Sequence, residues 1–356
     1  MSPLTDQLLA RINSDGPISL ADYMAECLLH PEHGYYTTQT PFGTQGDFTT
    51  APEISQMFGE LLGLSLAQSW LIQGAPNTFT LAELGPGRGT LMADLLRATR
   101  GVPGFHTALQ LYLVEASPNL QQQQAKALTG SDVTWVDTVD KLPQQPLFLV
   151  ANEFFDALPI RQFVRDGDGW REKRIGLVDG GLGFGLGPEA PQPALEHRLR
   201  DTTDGDLVEL SPGAAPILSS LAQRIASHGG AALIVDYGDW RSLGDTLQAL
   251  KSHTPVEPLE TPGEADLTAH VDFEVLCSVA AGAGCAHSKV TPQGVFLERL
   301  GITDRARNLA AGLEGEALES LIAAHRRLTH PSEMGNLFKV LGLTPADIAP
   351  PPGLNA

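Results

Sequence analysis

The sequence predicts an α/β fold built on a doubly wound parallel sheet, and three observations support this prediction. First, Thr78–Arg97 (TFTLAELGPGRGTLMADLLR) has the pattern of a buried strand, a glycine turn and an amphipathic helix. Second, short apolar runs alternate with helical patterns along the chain after it, as repeated strand–helix units do. Third, the apolar runs end in polar or acidic residues, which the carboxyl edge of a parallel sheet would bring together.

The turn Gly85–Gly89 (GPGRG) has glycine at three alternate positions, Gly85, Gly87 and Gly89, which is more than a plain turn needs. Glycine takes positive φ easily and lets a ligand approach the backbone, and the next helix directs free N–H groups at that ligand. Glu83 lies at the end of the preceding strand. The spacing differs from the dinucleotide fingerprint G-x-G-x-x-G, so an adenosine compound fits better than NAD. The alternative is a turn that binds nothing.

The ends of the apolar strands carry a set of polar and acidic groups. These groups are Glu83, Glu115, Asp137, Asn152 with Glu153, and Asp236 with Tyr237. The strand Leu109–Glu115 (LQLYLVE) is the most informative, because a carboxylate at the end of a second strand can bind both hydroxyls of a ribose. We therefore expect Glu115 to bind the ribose of an adenosine compound.

The segment Asn152–Pro159 (NEFFDALP) follows the apolar run Pro146–Ala151 and is the most suggestive of catalysis. Its acids Glu153 and Asp156 lie three residues apart, so a loop or a first helical turn can direct both at one pocket. Paired carboxylates can hold a guanidinium group or accept the proton of a nucleophile. The alternative is that these acids only cap the next element.

The composition limits the kinds of partner and site. The chain has 356 residues and a formal net charge of −19, which argues against a nucleic-acid partner. Its three cysteines, Cys27, Cys277 and Cys285, form neither a disulfide framework nor a metal-ligand spacing, so we predict no metal site. Met1–Arg11 does not have the pattern of a signal peptide, and no apolar run reaches the roughly 18 residues of a membrane span. We therefore expect a cytoplasmic protein without a membrane span.

The patterns divide the chain into five segments. These are an N-terminal helical cap (1–77), the ligand-binding half of the sheet (78–160), an antiparallel insertion (161–210), the second half of the sheet with a helical insertion (211–343) and a tail (344–356). Repeated Asp-Gly and Gly-Gly turns within Arg161–Gly187 predict the hairpins of the insertion. The prolines of the tail predict that it frays.

Two helical segments bear on the site. One helix is predicted to begin near Pro52 and to run on toward Trp70, and Asp47 and Glu53 either cap it or contact a ligand. The other, Pro118–Leu128, is expected to be a helix whose glutamine run faces solvent.

Four motifs together resemble the MidA-like methyltransferases, a family that includes a mitochondrial complex I assembly factor that methylates an arginine. The motifs are Gly46–Glu60 (GDFTTAPEISQMFGE), Glu83–Leu91 (ELGPGRGTL), Val150–Pro159 (VANEFFDALP) and Leu267–Phe273 (LTAHVDF). The resemblance covers about Ile18 to Leu343. It implies a Rossmann-like class I methyltransferase sheet with N-terminal helices and an inserted antiparallel and helical lobe. It also implies S-adenosyl-L-methionine as the cofactor.

The resemblance assigns roles residue by residue. The cofactor-binding residues that it implies are Glu83, Gly85, Gly87, Gly89, Glu115, Asp137, Asn152, Thr49, Thr50 and Glu53. The catalytic candidates are Glu153, Asp156 and Asp47. We expect a protein arginine as the methyl acceptor. A small-molecule methyltransferase, a scaffold protein without turnover and a nucleotide-dependent oxidoreductase are the alternatives, and the sequence leaves open whether the protein is a homodimer.

Overall fold

A computed structural model of the chain describes residues 2–38 and 50–356. These residues fall into two units, each with its own core. The first unit is drawn from Met1–Phe48, Asp156–Ala215 and Arg241–Asp272, and the second from Thr49–Phe155, Pro216–Trp240 and Phe273–Ala356. The linear division into five segments stays a prediction.

The helices of the described residues are short to medium in length. They are α1 (Pro3–Asp15), α2 (Leu20–Leu29), α3 (Tyr35–Thr38), α4 (Ala51–Ile54), α5 (Gln56–Ile72), α6 (Thr90–Thr99), α7 (Phe105–Ala108), α8 (Pro118–Ala127), α9 (Ala214–His228), α10 (Phe273–Gly282), α11 (Gln293–Arg299), α12 (Ile302–Ala310), α13 (Gly315–Thr329) and α14 (Met334–Leu337). Two further segments, Val139–Lys141 and Pro193–Arg200, form 3₁₀ turns.

The strands alternate with helices in the second unit and follow one another in the first. They are β1 (Ile18–Ser19), β2 (Phe79–Leu84), β3 (Leu109–Val114), β4 (Val133–Val136), β5 (Leu147–Asn152), β6 (Arg161–Asp166), β7 (Gly169–Val178), β8 (Gly181–Ala190), β9 (Leu207–Leu210), β10 (Gly230–Asp239), β11 (Gln248–Lys251), β12 (Thr254–Val256), β13 (Asp266–Thr268), β14 (Val271–Asp272), β15 (Cys285–His287), β16 (Thr291–Pro292) and β17 (Phe338–Pro345).

The second unit contains a central sheet with the strand order β15-β17-β10-β5-β2-β3-β4. Neighbours from β10 to β4 are parallel, whereas β17 is antiparallel to both β10 and β15. From β2 the chain continues to β3 and β4 on one side, and then returns to β5 and β10 on the other. Because the strand order reverses at β2, the carboxyl ends of β2 and its neighbours form the crevice where such sheets bind ligands. The α/β sheet predicted from the sequence is confirmed.

The central strands are apolar because both of their faces are covered. Every residue of β2 and β5 is buried, as expected for parallel strands between two layers of helices. A cluster of rings from Trp70, Phe79, Phe105 and Phe148 packs at centroid distances of 5.0–5.8 Å near the amino end of β2.

The helix predicted from Pro52 toward Trp70 is two helices. The backbone of Ser55 is extended, with φ −160° and ψ 135°, and it separates α4 from α5. The Ser55 side chain accepts a hydrogen bond from the backbone N–H of Met57, so this residue caps a new helix instead of continuing the old one. The prediction of one continuous helix was therefore wrong.

The first unit contains an antiparallel sheet with the order β1-β7-β6-β9, and β8 pairs with β7. The β7–β8 hairpin turns at Asp179 and Gly180, whose φ values of 51° and 81° are those of a tight hairpin turn. A smaller sheet has the order β12-β11-β13. The antiparallel strands predicted for Arg161–Gly187 are therefore present.

The carboxyl-terminal segment does not fray. Leu354 is buried in the core of the second unit. The Ser65 hydroxyl donates to the carbonyl of Pro352 at 2.9 Å, and the N–H of Lys289 donates to the carbonyl of Asn355 at 2.9 Å. The prediction of fraying was wrong because these contacts come from residues distant in sequence.

Candidate functional site

The glycine turn after β2 has the backbone that its sequence predicts. Gly85, Gly87 and Gly89 have φ values of 56°, 51° and 84°, the left-handed region that favours glycine. A side chain on Gly85 would meet the ring of Phe154, since its Cβ would lie 3.0 Å from that ring's Cδ2. Gly89 is the N-cap of α6 and has no side chain to bond the free N–H groups of the helix. The turn therefore presents backbone groups that a ligand can approach.

Glu83 is a buried acid at the end of β2, with only 3% of its surface exposed. Burial raises its pKa to about 8, although a hydrogen bond from the backbone N–H of Met92 opposes the shift. Among the described residues its Oε2 has no hydrogen-bond partner. Because buried polar atoms are nearly always bonded, this atom can bond a group of a ligand, and a cationic donor there would favour the ionised carboxylate.

Glu115 follows β3, and its carboxylate is held at both oxygens. The N–H of Ser117 donates to Oε1 at 2.8 Å, and Nε2 of Gln124 donates to Oε2 at 3.1 Å. Burial raises the pKa of Glu115, and these hydrogen bonds oppose the rise. Each carboxylate oxygen can accept more than one hydrogen bond, so Glu115 can still accept from two hydroxyls.

Sequence reasoning missed Gln124. This side chain lies in α8 within the glutamine run predicted to face solvent, yet it is fully buried. The prediction was wrong for this residue because one position of the helix faces Glu115 and the glycine turn.

Asp137 follows β4 and lies in a more open setting. Its side chain is 55% exposed and forms an ion pair with Lys141 at 2.7 Å. The hydrogen bond from Lys141 lowers the pKa of Asp137. The role of Asp137 beside an adenine stays a prediction.

The segment after β5 contains Glu153, which has an unusual backbone conformation and a carboxylate fixed by hydrogen bonds. Glu153 has φ 52° although it is not glycine, a conformation that costs about 1–3 kcal/mol. Its N–H donates to the carbonyl of Val235 at 3.0 Å. Its Oε1 accepts from Nδ2 of Asn152 at 3.1 Å and from the N–H of Ala51 at 3.4 Å. The carboxylate is thereby fixed at the carboxyl edge of the sheet.

Asn152 itself leaves an acceptor open. It is 8% exposed, and its Oδ1 has no hydrogen-bond partner among the described residues. Like Oε2 of Glu83, this atom needs a donor.

Asp236, the polar residue after the buried core of β10, fixes the loop that follows Glu153. It is fully buried. Its Oδ2 accepts from the N–H groups of Phe154 at 3.3 Å and Phe155 at 3.0 Å, and its Oδ1 accepts from the N–H of Tyr237 at 3.0 Å. The sequence placed Asp236 at a strand end but suggested no role for it, because the bonded loop is about 80 residues away.

Glu53 joins α4 to the glycine turn. Its Oε1 accepts from Oγ1 of Thr90 at 2.6 Å, and its Oε2 lies 3.4 Å from Nη1 of Arg88. Thr50 is the N-cap of α4 but makes no side-chain capping bond. Asp47 and Thr49 lie outside the described residues.

Asp156, predicted to act beside Glu153, belongs to the first unit, whereas Glu153 belongs to the second. Asp156 is buried, and its carbonyl accepts from the N–H of Ala269 at 3.0 Å. The catalytic role of Asp156 stays a prediction.

The register of the sheet aligns the other strand-end residues. Leu84 pairs with Val114 and with Ala151, Val114 pairs with Val136, and Val235 pairs with Asn152. The residues that follow these pairs therefore share one edge. The carboxylate of Glu115 suits ribose hydroxyls, and the open acceptors on Glu83 and Asn152 suit N–H donors such as an ammonium group. These acceptor groups together suit an adenosine compound that carries an amino acid.

A family described as "Putative S-adenosyl-L-methionine-dependent methyltransferase" matches residues 61–291. The chain belongs to this family. It is an S-adenosyl-L-methionine-dependent methyltransferase with a class I fold, as the four motifs predict.

Relatives and solved structures agree with this assignment. The mitochondrial protein arginine methyltransferase NDUFAF7 of Xenopus laevis is 38% identical over 96% of the chain and 84% of its own length. The human protein of the same name is 36% identical over 97% of the chain and 84% of its own length. A crystal structure of a Burkholderia thailandensis protein bound to S-adenosyl-homocysteine has 29% identity and a TM-score of 0.82, covering 96% of this chain and 91% of that one.

The comparisons also correct one expectation. The curated relatives are named mitochondrial proteins, so the prediction of a cytoplasmic location was wrong. Within residues 2–38 and 50–356, no helix is both long enough and apolar enough to span a membrane.

Proposed function

We propose that this methyltransferase transfers a methyl group to an arginine side chain of a protein, at the carboxyl edge of the sheet in the second unit. The main observation behind the proposal is that hydrogen bonds fix the carboxylate of Glu153, whose own backbone has the left-handed φ of 52°. The names of the relatives support the acceptor, since they are called protein arginine methyltransferases.

The cofactor supplies an electrophilic methyl group on a sulfonium. Glu115 would hold the ribose hydroxyls, and the turn Gly85–Gly89 would lie against the amino acid part. Glu83 and Asn152 would accept hydrogen bonds, because both have open acceptor atoms. Alignment of the acceptor nitrogen with this methyl group is the main contribution that such a site makes to the rate.

Glu153 would act on the acceptor. A guanidinium group is a poor nucleophile because it stays protonated at neutral pH. A carboxylate can bond two of its N–H groups and favour a lone pair on the remaining nitrogen. When that nitrogen is methylated it must release a proton, and Glu153 can accept it. The catalytic roles that the resemblance implies for Asp47 and Asp156 stay predictions.

The test is methyl transfer from labelled S-adenosyl-L-methionine to the proteins of a source strain that lacks this gene. Labelled protein is hydrolysed and its methylated amino acids are identified, with a Glu153→Gln variant run in parallel. We expect label in methylarginine with the wild-type protein and loss of that label with the variant.

Two other results would contradict the proposal. Label in a small molecule would identify a small-molecule methyltransferase. Cofactor binding without any label transfer would identify a scaffold that has lost turnover.

A further inference from the structure

We propose that Gln124 is a positioning residue for the cofactor, because its side-chain amide fixes the ribose-binding carboxylate of Glu115 relative to the glycine turn. This inference rests on the cofactor site proposed above. Gln124 lies in α8, and its side chain contacts both Glu115 and the glycine turn.

The side-chain amide of Gln124 forms hydrogen bonds with three different parts of the fold. Its Nε2 donates to the carbonyl of Gly87 at 2.8 Å and to Oε2 of Glu115 at 3.1 Å, while its Oε1 accepts from Nε1 of Trp135 at 2.8 Å. An indole nitrogen can only donate, and a carbonyl or a carboxylate can only accept. The three partners therefore determine which end of the amide is nitrogen.

Donors to the Glu115 carboxylate include the backbone N–H of Ser117 and the amide of Gln124, which are neutral groups. Both orient the carboxylate without adding a positive charge beside it. A carboxylate oriented by neutral donors can still form charge-assisted hydrogen bonds with two hydroxyls. Because the same amide also bonds the Gly87 carbonyl, the glycine turn and Glu115 keep a fixed separation.

Packing supports a direct coupling between α8 and the turn. A Cβ on Gly89 would lie 3.4 Å from Cα of Gln124 and 3.5 Å from Cβ of Ala127. The helix thus lies close enough that a methyl group on Gly89 would contact it. A buried amide at this junction with all of its bonds made is rigid, and preorganisation of this kind raises affinity.

The alternative is that Gln124 has a structural role alone: it forms hydrogen bonds with buried polar groups and stabilises α8. Two variants separate this alternative from a positioning role. Gln124→Met keeps the length and burial of the side chain but removes all three hydrogen bonds. Gln124→Glu keeps an acceptor for Trp135 but places a second carboxylate beside Glu115. Gln122→Met changes an exposed residue of the same helix and is the matched control.

The experiment is calorimetric titration of the full-length protein with S-adenosylhomocysteine and with its 2′-deoxy analogue, alongside thermal unfolding without ligand. We expect Gln124→Met to weaken S-adenosylhomocysteine binding by about 10- to 100-fold, with a much smaller effect on the deoxy analogue. Gln124→Glu should lose affinity progressively as pH rises, because its added carboxylate ionises next to Glu115. Gln122→Met should match the wild type.

A drop in melting temperature with unchanged affinity would overturn the inference and leave only the structural role. An equal loss for both ligands would also overturn it, because the effect would then not pass through the ribose. Glu115→Gln separates this failure from a failure of the proposed site. If Glu115→Gln weakens binding and Gln124→Met does not, only the Gln124 inference fails. If Glu115→Gln has no effect, the proposed cofactor site itself is wrong.

Discussion

The two ends of the candidate site differ in how completely their side chains are bonded. At the end of β3, both oxygens of Glu115 accept hydrogen bonds, and the three bonds of the Gln124 amide are made. At the end of β5, Glu153 has a strained backbone and Asn152 has an open acceptor. We infer that the first end is organised for binding before the ligand arrives. We infer that the second end keeps a strained backbone and an open acceptor for the bound ligands.

Glu153→Gln should have the largest effect, and it tests the reactive end alone. Glutamine can still accept from the Ala51 N–H but cannot hold a guanidinium by charge or accept its proton. We expect kcat to fall by about 100-fold or more, while the dissociation constant of S-adenosylhomocysteine stays within about twofold of wild type. Steady-state kinetics and calorimetry measure the two quantities. Unchanged turnover would remove Glu153 from the reaction.

Gly87→Val tests whether the glycine turn after β2 binds the cofactor. Valine is poorly tolerated at φ 51°, and its side chain occupies space where backbone and ligand are expected to meet. We expect cofactor affinity to fall by about 10- to 100-fold. Gly101→Val is the control, because no atom of the described residues lies within 4 Å of a Cβ on Gly101 and its φ is not positive. Equal affinities for both variants and the wild type would refute the placement of the turn at the cofactor.

Asp236→Asn tests whether the loop after Glu153 is a positioning device. Asparagine keeps the shape but replaces one of the two acceptor oxygens with a donor, so contacts to the Phe154, Phe155 or Tyr237 N–H groups are lost. We expect kcat to fall by about tenfold, as for the loss of a hydrogen bond of about 1–3 kcal/mol. The KM for the cofactor should change little. A fall in stability with normal kcat would show that Asp236 only supports the fold.

Glu83→Gln comes last because its test is stability in the absence of ligand rather than turnover. The pKa of Glu83 is raised from its usual 4.5 to about 8 in the folded protein. Between these pH values the folded state retains a proton that the unfolded chain has released. Stability therefore falls as pH rises, by up to about 1.4 kcal/mol per pH unit from this residue. Glutamine does not titrate, so denaturant unfolding at pH 5 to 8 should show a shallower pH dependence. A dependence identical to wild type would show that Glu83 is ionised throughout.

The parts of the site that sequence predicted are those with a local signal. Gly85, Gly87 and Gly89 occupy positive-φ positions that no other residue takes cheaply. Glu115 follows β3 because apolar strands are bounded by polar residues. Gln124 and Asp236 were assigned no role, since their partners lie in other elements. Nothing in a run of four glutamines indicates which one is buried, because that depends on how α8 lies against the glycine turn.

Two errors in the fold have different origins. Helix propensity predicts one helix through Ser55, but the Ser55 hydroxyl bonds the N–H of Met57 and begins a second helix. Prolines near the chain end predict fraying, but Leu354 reaches the core. The first contact joins residues two apart in sequence, whereas the second packs the chain end against residues distant in sequence.

The most direct test of the account is a crystal structure of the protein with S-adenosylhomocysteine. The account predicts the ribose hydroxyls within hydrogen-bonding distance of the Glu115 carboxylate, with the turn Gly85–Gly89 against the amino acid part. A ligand bound elsewhere, with Glu115 bonded only to Ser117 and Gln124, would contradict it.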